Sequence, residues 1–259
     1  MSRRRRGRWW KRAPRVRVGT LNLSVRAAKR KPQQLEDDLV DFMAAHDVVG
    51  MQEAGQARKV VEAAAKRAGH VVWFGDGRPG QDATPISIRR DFSEHAPRFH
   101  AVLLSERTDA GRGAGPRMVK AKWLMIVETR VPGRVVAVGN MHGPASQQNL
   151  GRRLLAARGF RRAGKVMATL YPSAAVFVIG DLNTVPGARQ LAGLLARGLR
   201  SCQRRLGELV THGRRRTIDD VYFRRRVVRP LRHHTTRTVS DHRGYGVTCA
   251  VRPRTTKKG

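Results

Sequence analysis

Residues 177–186 read FVIGDLNTVP. A short apolar run rich in β-branched and aromatic side chains reads as a buried strand, and it stops at Asp181 with Asn183 two positions on. Carboxylates are scarce in this chain, which has 53 Lys+Arg against 19 Asp+Glu in 259 residues. Burying a charge is costly unless it is paired. An aspartate at the mouth of a strand therefore either caps a turn ahead of Pro186 or faces something positive.

Working outward from that strand, the pattern alternates. Upstream, residues 146–169 carry a helical period with Leu150, Leu154, Leu155 and Val166 as the expected apolar face, and a second helix is expected at 187–197. Further back, KWLMIVETR and RVVAVGNMH are two strands joined by Pro132-Gly133, the signature of a hairpin. The first third contains strands at 15–23 and 47–53, then shorter ones near 70–74, 85–89 and 99–104. Helices are expected at 33–46, with Leu35, Leu39, Phe42 and Met43 inward, and at 56–68, with Val60, Val61, Ala64 and Ala65 inward. The last third is strand-like in RTIDDVYF, RVVRPLRHH and GYGVTCAVR. Strand–helix alternation followed by strand-rich segments predicts an α/β protein with two sheets face to face and helices outside.

One large domain accounts for 15–252, flanked by a basic arm (1–14) with Trp9 and Trp10 and a basic tail (253–259). Like-charge repulsion and the lack of an apolar face predict disorder in both ends. The formal net charge of +34 and sequence pI near 11.9 call for a polyanionic partner, and nucleic acid is the commonest. The two cysteines, Cys202 and Cys249, lack CxxC spacing and read as core thiols in a reducing compartment rather than zinc ligands. No run approaches the ~20 apolar residues of a membrane span. The arginine-rich start is no secretory signal, so an intracellular, cytoplasmic, monomeric protein is expected.

The polar residues recur at one kind of place. Asn22 closes the first strand in TLN, Glu53 the second in QE, His142 follows NM, Asp181 and Asn183 stand in GDLN, Asp219 in IDD, and Asp241 with His242 in SDH. Strand termini converge at one rim of a sheet, where α/β folds build sites. Each alone has an ordinary reading as a turn cap or a hydrogen-bonded histidine. In this order they resemble the endonuclease/exonuclease/phosphatase superfamily, over residues 16–251, with GDLN and SDH the most specific pieces. The resemblance implies a deoxyribonuclease I-like, four-layer α/β/β/α sandwich of two mixed β-sheets flanked by helices.

It also implies hydrolysis of a phosphodiester or phosphate ester dependent on Mg²⁺, with Mn²⁺ as a substitute. Such chemistry needs charge stabilisation on phosphoryl oxygens, an aligned water and a proton for the leaving oxygen. By resemblance Glu53 is the principal metal ligand, with Asn22 and Asp241 at the metal or its waters. Asp181 orients and deprotonates the attacking water, and Asn183 fixes that aspartate or a phosphate oxygen. His242 lies against the scissile phosphate with Asp219 on its other ring nitrogen, and His142 is a second acid/base, with Asp82 its candidate carboxylate partner.

Two departures stand out. The family's aromatic after the aspartate is here Asp220, so Asp219 or Asp220 faces His242, with register favouring Asp219. The histidine of NMH sets the chain apart from apurinic endonucleases of the exonuclease III type, which carry a tyrosine there. The charge favours a nuclease on DNA or RNA over a phosphatase or phosphodiesterase on inositol or lipid phosphates, and over a non-catalytic nucleic-acid-binding relative. The loop DAGRGAGPR (109–117) offers Arg112 and Arg117 on a glycine-rich backbone, as a substrate clamp or as a plain surface connection.

Overall fold

The computed structural model describes residues 10, 13–109, 118–145, 149–213 and 216–254. Arg112 and Arg117, and Trp9 with most of the N-terminal arm, lie outside the described residues.

In chain order the elements are β1 (Arg15–Asn22), α1 (Val25–Arg30), α2 (Pro32–Ala44), β2 (Val48–Gln52), α3 (Arg58–Arg67), β3 (His70–Trp73) and β4 (Ile86–Arg89). Then follow β5 (Arg98–Ser105), a small ribbon of β6 (Thr108–Asp109) and β7 (Met118–Val119), β8 (Lys122–Val131), β9 (Arg134–Met141) and α4 (Leu150–Leu170). The last part is β10 (Ala175–Asp181), α5 (Ala192–Leu195), β11 (Leu199–Ser201), α6 (Cys202–Leu206), β12 (Asp219–Arg224), β13 (Val228–Thr236) and β14 (Gly244–Val251).

Two six-stranded sheets result, in the orders β13-β14-β1-β2-β4-β3 and β11-β12-β10-β9-β8-β5. Each is antiparallel except for one parallel pair, β1 with β2 and β9 with β10. The inner faces meet in a core that includes Val16, Val18, Val247, Cys249, Phe177, Ile179 and Val138. Outside the first sheet, Leu35, Leu39 and Phe42 of α2 and Val61 of α3 pack on Leu21, Val49 and Met51. Outside the second, Phe160 and Met167 of α4 pack on Val176 and Val178. This is the four-layer α/β/β/α sandwich. No helix among the described residues is long and apolar enough to cross a membrane.

The parallel pairs decide where a site can form. Parallel strands end at the same rim, so Asn22 and Gln52–Glu53 emerge together, as do Met141–His142 and Asp181. Antiparallel β12 starts at that rim, with Asp219 directly opposite Asp181. A polar plug ties the sheets beneath it: Gln52 Nε2 donates to Asn140 Oδ1 at 2.7 Å, and Asn140 Nδ2 donates to the carbonyls of Met51 (2.8 Å), Pro85 (2.9 Å) and Thr84 (3.1 Å). The Gln52 and Asn140 side chains are buried and hydrogen-bonded, as a polar network inside a core must be.

Three expectations are corrected. Helix α4 does not bury its leucines: Leu150 is 63% and Leu154 51% exposed, while Ala156, Gly159, Phe160, Ala163, Gly164 and Met167 face inward. A Cβ on Gly164 would stand 2.8 Å from the carbonyl oxygen of Gly193 in α5, so close backbone approach requires a glycine at this point of the face. The helix expected at 187–197 breaks into a 3₁₀ turn, Arg189–Leu191, and the short α5. The described parts of both basic ends are docked: Ala13 is buried, Pro14 accepts from the Val251 amide at 2.9 Å, and the Arg254 amide donates to Gly133 at 2.9 Å.

Candidate active site

Asp181 is the hub of the rim. Its Oδ1 accepts the Asn183 amide at 2.8 Å and its Oδ2 accepts Asn22 Nδ2 at 3.0 Å. The same Oδ2 lies 3.6 Å from His142 Nε2 and 3.7 Å from His242 Nε2. The backbone is shaped for this convergence. Gly180 has φ 144°, and a Cβ there would stand 1.8 Å from the Met141 carbonyl oxygen, so the residue before the aspartate must be glycine. Among the described residues, the non-glycine residues with positive φ are Ser24, Glu53 and Asn183, all at this rim. Left-handed conformations are costly for side-chain-bearing residues and cluster at functional sites.

Glu53 turns back from the end of β2 toward β1, where Asn22 Nδ2 donates to its Oε1 at 3.2 Å and the Val25 amide to its Oε2 at 3.4 Å. Asn22 Oδ1 accepts the Ser24 amide at 3.1 Å. One side-chain amide thus joins the Glu53 and Asp181 carboxylates. His242 Nδ1 is 3.0 Å from Asp219 Oδ2, and the Ser240 hydroxyl, which donates to the Asn22 carbonyl at 2.7 Å, accepts the His242 amide at 3.1 Å.

Strand alternation settles the choice between Asp219 and Asp220. Asp219 faces His242, whereas Asp220 turns to the other face, where it accepts the Ser201 hydroxyl at 2.5 Å and the Val221 amide at 2.7 Å. Asp82 does not join His142 by a hydrogen bond or ion pair; its exposed carboxylate stands beside Gly55. The Asp241 side chain is 62% exposed, and its Oδ2 is 3.5 Å from His212 Nε2.

Burial and neighbouring charge set the protonation states. Burial, with the nearby Asp219 charge, pushes the Asp181 carboxyl up to about 7 against the lowering effects of His242, Asn22 and Asn183. Burial also raises Asp219. Burial opposes the charge on His242, but the Asp219 hydrogen bond and the charges of Asp219, Asp181 and Asp241 outweigh it and raise the imidazole to about 9. His142 goes the other way, well below the usual imidazole range, through burial and then repulsion from Lys122 and His242. Its Nε2 is 3.2 Å from Asn183 Nδ2, which makes it an acceptor in a neutral ring.

Two members of the rim escaped the sequence reading. The His212 ring packs on His242 with centroids 4.4 Å apart, and its segment bridges to His242 along the backbone. Lys122, half-buried at the start of β8, is pulled down to about 8 by burial, against the raising effects of Asp181 and Glu53. The only signals were a histidine among arginines ahead of IDD and a lysine opening an apolar strand.

The oxygen-rich donor set of Glu53, Asn22 and Asp181 suits a hard divalent cation. Among the described residues, two groups of three side chains bring potential donor atoms within 4.8 Å of one another: Asp181, Asp219 and His242, and His212, Asp241 and His242.

The family model described as Endonuclease/Exonuclease/phosphatase family matches residues 19–242. Among solved structures, an endonuclease/exonuclease/phosphatase family protein from Bacteroides thetaiotaomicron is similar with TM-score 0.70 and 16% identity, covering 93% of this chain and 99% of that one. TDP2 from D. rerio, complexed with single strand DNA product, gives TM-score 0.65 and 16% identity over 92% of this chain and 99% of that one. Sphingomyelinase C from Streptomyces griseocarneus gives 0.62 and 19% over 92% and 99%. Among curated proteins the sequence finds no match.

Proposed function

Because the chain belongs to the Endonuclease/Exonuclease/phosphatase family, we propose that it is a Mg²⁺-dependent nuclease hydrolysing phosphodiester bonds of DNA or RNA. The observation that carries this reading is the position of Asp181 Oδ2 between two imidazoles and the Asn22 amide, with one amide linking it to Glu53. Glu53 and Asn22 would hold the divalent ion, with Asp241 at its outer side. When bound, it supplies positive charge to the phosphoryl oxygens and the leaving oxygen.

The protein's own groups divide the remaining work. Asp181, fixed at both oxygens, orients the attacking water and takes its proton. His242 is an imidazolium at neutral pH because Asp219 holds Nδ1. Among the described residues its Nε2 proton has no acceptor at bonding distance, Asp181 being 3.7 Å away, and so serves a phosphoryl oxygen. His142, neutral and accepting from Asn183, positions that amide rather than donating a proton. Lys122 adds a cation beside the same carboxylates.

Nucleic acid is favoured over inositol or lipid phosphates by the charge of +34, which implies contact with many phosphates rather than one headgroup. The TDP2 structure with its DNA product has the same fold and supports this choice by analogy. The test is to incubate the purified protein with circular DNA, linear DNA, RNA and inositol phosphates, each with Mg²⁺ and with EDTA. Hydrolysis of a nucleic acid that stops with the chelator is expected. Full activity in EDTA, or turnover of inositol phosphates alone, would overturn the assignment.

A further inference from the structure

Beside the oxygen donors of the rim lies a second donor set with a different chemistry, made by His212, Asp241 and His242. Their placement is built into the backbone. The segment around His212 bridges antiparallel to that around His242, with the Arg243 amide donating to the Thr211 carbonyl at 2.7 Å and the Gly213 amide to the Asp241 carbonyl at 3.3 Å. The two imidazoles consequently lie ring against ring, their centroids 4.4 Å apart. Asp241 Oδ2 stands 3.5 Å from His212 Nε2.

An ion pair with Asp241 does not account for the His212 ring. Its Nδ1 is buried, and among the described residues that atom has no hydrogen-bond partner. Leaving it so costs about 1–3 kcal/mol, more than the ~1 kcal/mol or less that pairing with an exposed carboxylate returns. His242 is arranged as metal-binding histidines are: Asp219 Oδ2 holds its Nδ1 at 3.0 Å and leaves Nε2 outward. The buried alternative, Asp181 with Asp219 and His242, has its carboxylates already engaged by Asn22, Asn183 and the His242 ring. Two imidazoles and a carboxylate suit zinc or a similar transition ion, whereas Mg²⁺ takes oxygen donors. In a tetrahedral zinc site, with bonds of about 2.0–2.1 Å, neighbouring donors stand roughly 3.3 Å apart. The His212–Asp241 pair is nearly there at 3.5 Å. A spread of at most 4.8 Å closes by no more than about 1.5 Å, within the swing of the exposed Asp241 side chain.

We propose that His212, Asp241 and His242 form a binding site for a zinc-class ion, and that the bound ion switches hydrolysis off. The ion takes the place of the His242 Nε2 proton, which leaves to solvent. The hydrogen bond from that nitrogen to a phosphoryl oxygen is thereby lost. The site differs in its donors from the one proposed for Mg²⁺, where Glu53 and Asn22 offer oxygen. The switching role rests on the function proposed for His242, whereas ion binding does not, so the two are read separately.

The test uses Co²⁺ as a coloured stand-in for zinc, added to the whole protein with Mg²⁺ in excess and no substrate. A visible absorption band from the bound cobalt is expected, and Zn²⁺ should remove it. His212→Ala and Asp241→Ala should each weaken cobalt binding at least ~10-fold, whereas Glu53→Gln should leave it unchanged. Asp241 is exposed, so its variant keeps the fold, and far-UV circular dichroism checks both. Hydrolysis of bis(p-nitrophenyl) phosphate with Mg²⁺ should be inhibited by Zn²⁺, and the inhibitory concentration should rise at least ~10-fold in His212→Ala. Equal cobalt binding by the wild type and the two folded variants would overturn the site, as would a loss confined to Glu53→Gln. Zinc bound through His212 that leaves turnover unchanged would overturn the switch. Cobalt bound through His212 in a protein that hydrolyses no phosphodiester would overturn the nuclease reading and uphold the site.

Discussion

At one end of β1, Asn22 donates a single amide to two carboxylates, and beyond them two imidazoles and a further aspartate are packed out of solvent. At the other end of the same strand, Arg15 stands exposed beside Arg229 across Ala250. Asp181 and Asp219 at the catalytic end are buried, whereas Arg15 and Arg229 at the other end face water. A buried charge acts strongly because the local dielectric is low, and for the same reason it needs a designed partner. An exposed arginine is screened and nearly free of constraint. The catalytic end should therefore be sensitive to single atoms, and the basic end only to numbers of charges.

The largest effect should come from Asp181→Asn, which keeps the shape and removes the base. The turnover number on nucleic acid should fall at least ~10²-fold, as should that of His242→Ala. Oligonucleotide binding in EDTA should persist in both, because the arginines carry it. Should binding collapse together with turnover, the two ends would not be separable.

Next in size is the plug beneath the site. Asn140→Ala strips the partner from Gln52 and from three backbone carbonyls and leaves a cavity between the sheets. A loss of about 2–4 kcal/mol in urea unfolding is expected, with a smaller fall in turnover than for Asp181→Asn. A wild-type urea midpoint would show that the sheets are not held through this amide.

The third effect is acid instability. Burial holds His46 and His70 down to about 4 from 6.5. Each stabilises the folded state fully above 6.5, and that contribution is lost as pH falls from 6.5 toward 4, because the unfolded chain takes up the proton first. Each is worth about 3 kcal/mol across the whole window. The raised Asp181 and Asp220 carboxyls act in the opposite direction over the same window, so the check is a difference between variants: on going from pH 7 to pH 5, His70→Gln should lose less stability in urea than the wild type. The same change in both proteins would contradict the burial of a neutral His70 ring.

How far this could be read in advance differs by residue. Asn22, Glu53, His142, Asp181, Asn183, Asp219 and His242 could be picked out because they stand at the ends of apolar strands and because, in that order, they resemble the family's motifs; strand-end position alone left each with an ordinary reading. The α4 face was not legible: large aliphatics at helical spacing looked like a core stripe, yet Leu150 and Leu154 are exposed and the contact is made by Ala163 and Gly164. Small residues carry little hydrophobic signal, and close backbone approach is a property of the partner helix as much as of the sequence. The partner of His142 was misjudged for a related reason. A carboxylate's neighbour across loops depends on where each loop turns, and Asp82 stands beside Gly55.

By itself the sequence determined the strand and helix alternation, the excess of cations and the kinds of polar group placed at strand ends, since these follow from periodicity and composition along the chain. Only the tertiary structure decided which of those groups meet. The parallel pairs β1–β2 and β9–β10 bring four strand ends to one rim. Contacts between residues as far apart in sequence as Asn22 and Asp181 depend on strand order and register, which sequence periodicity alone leaves unspecified.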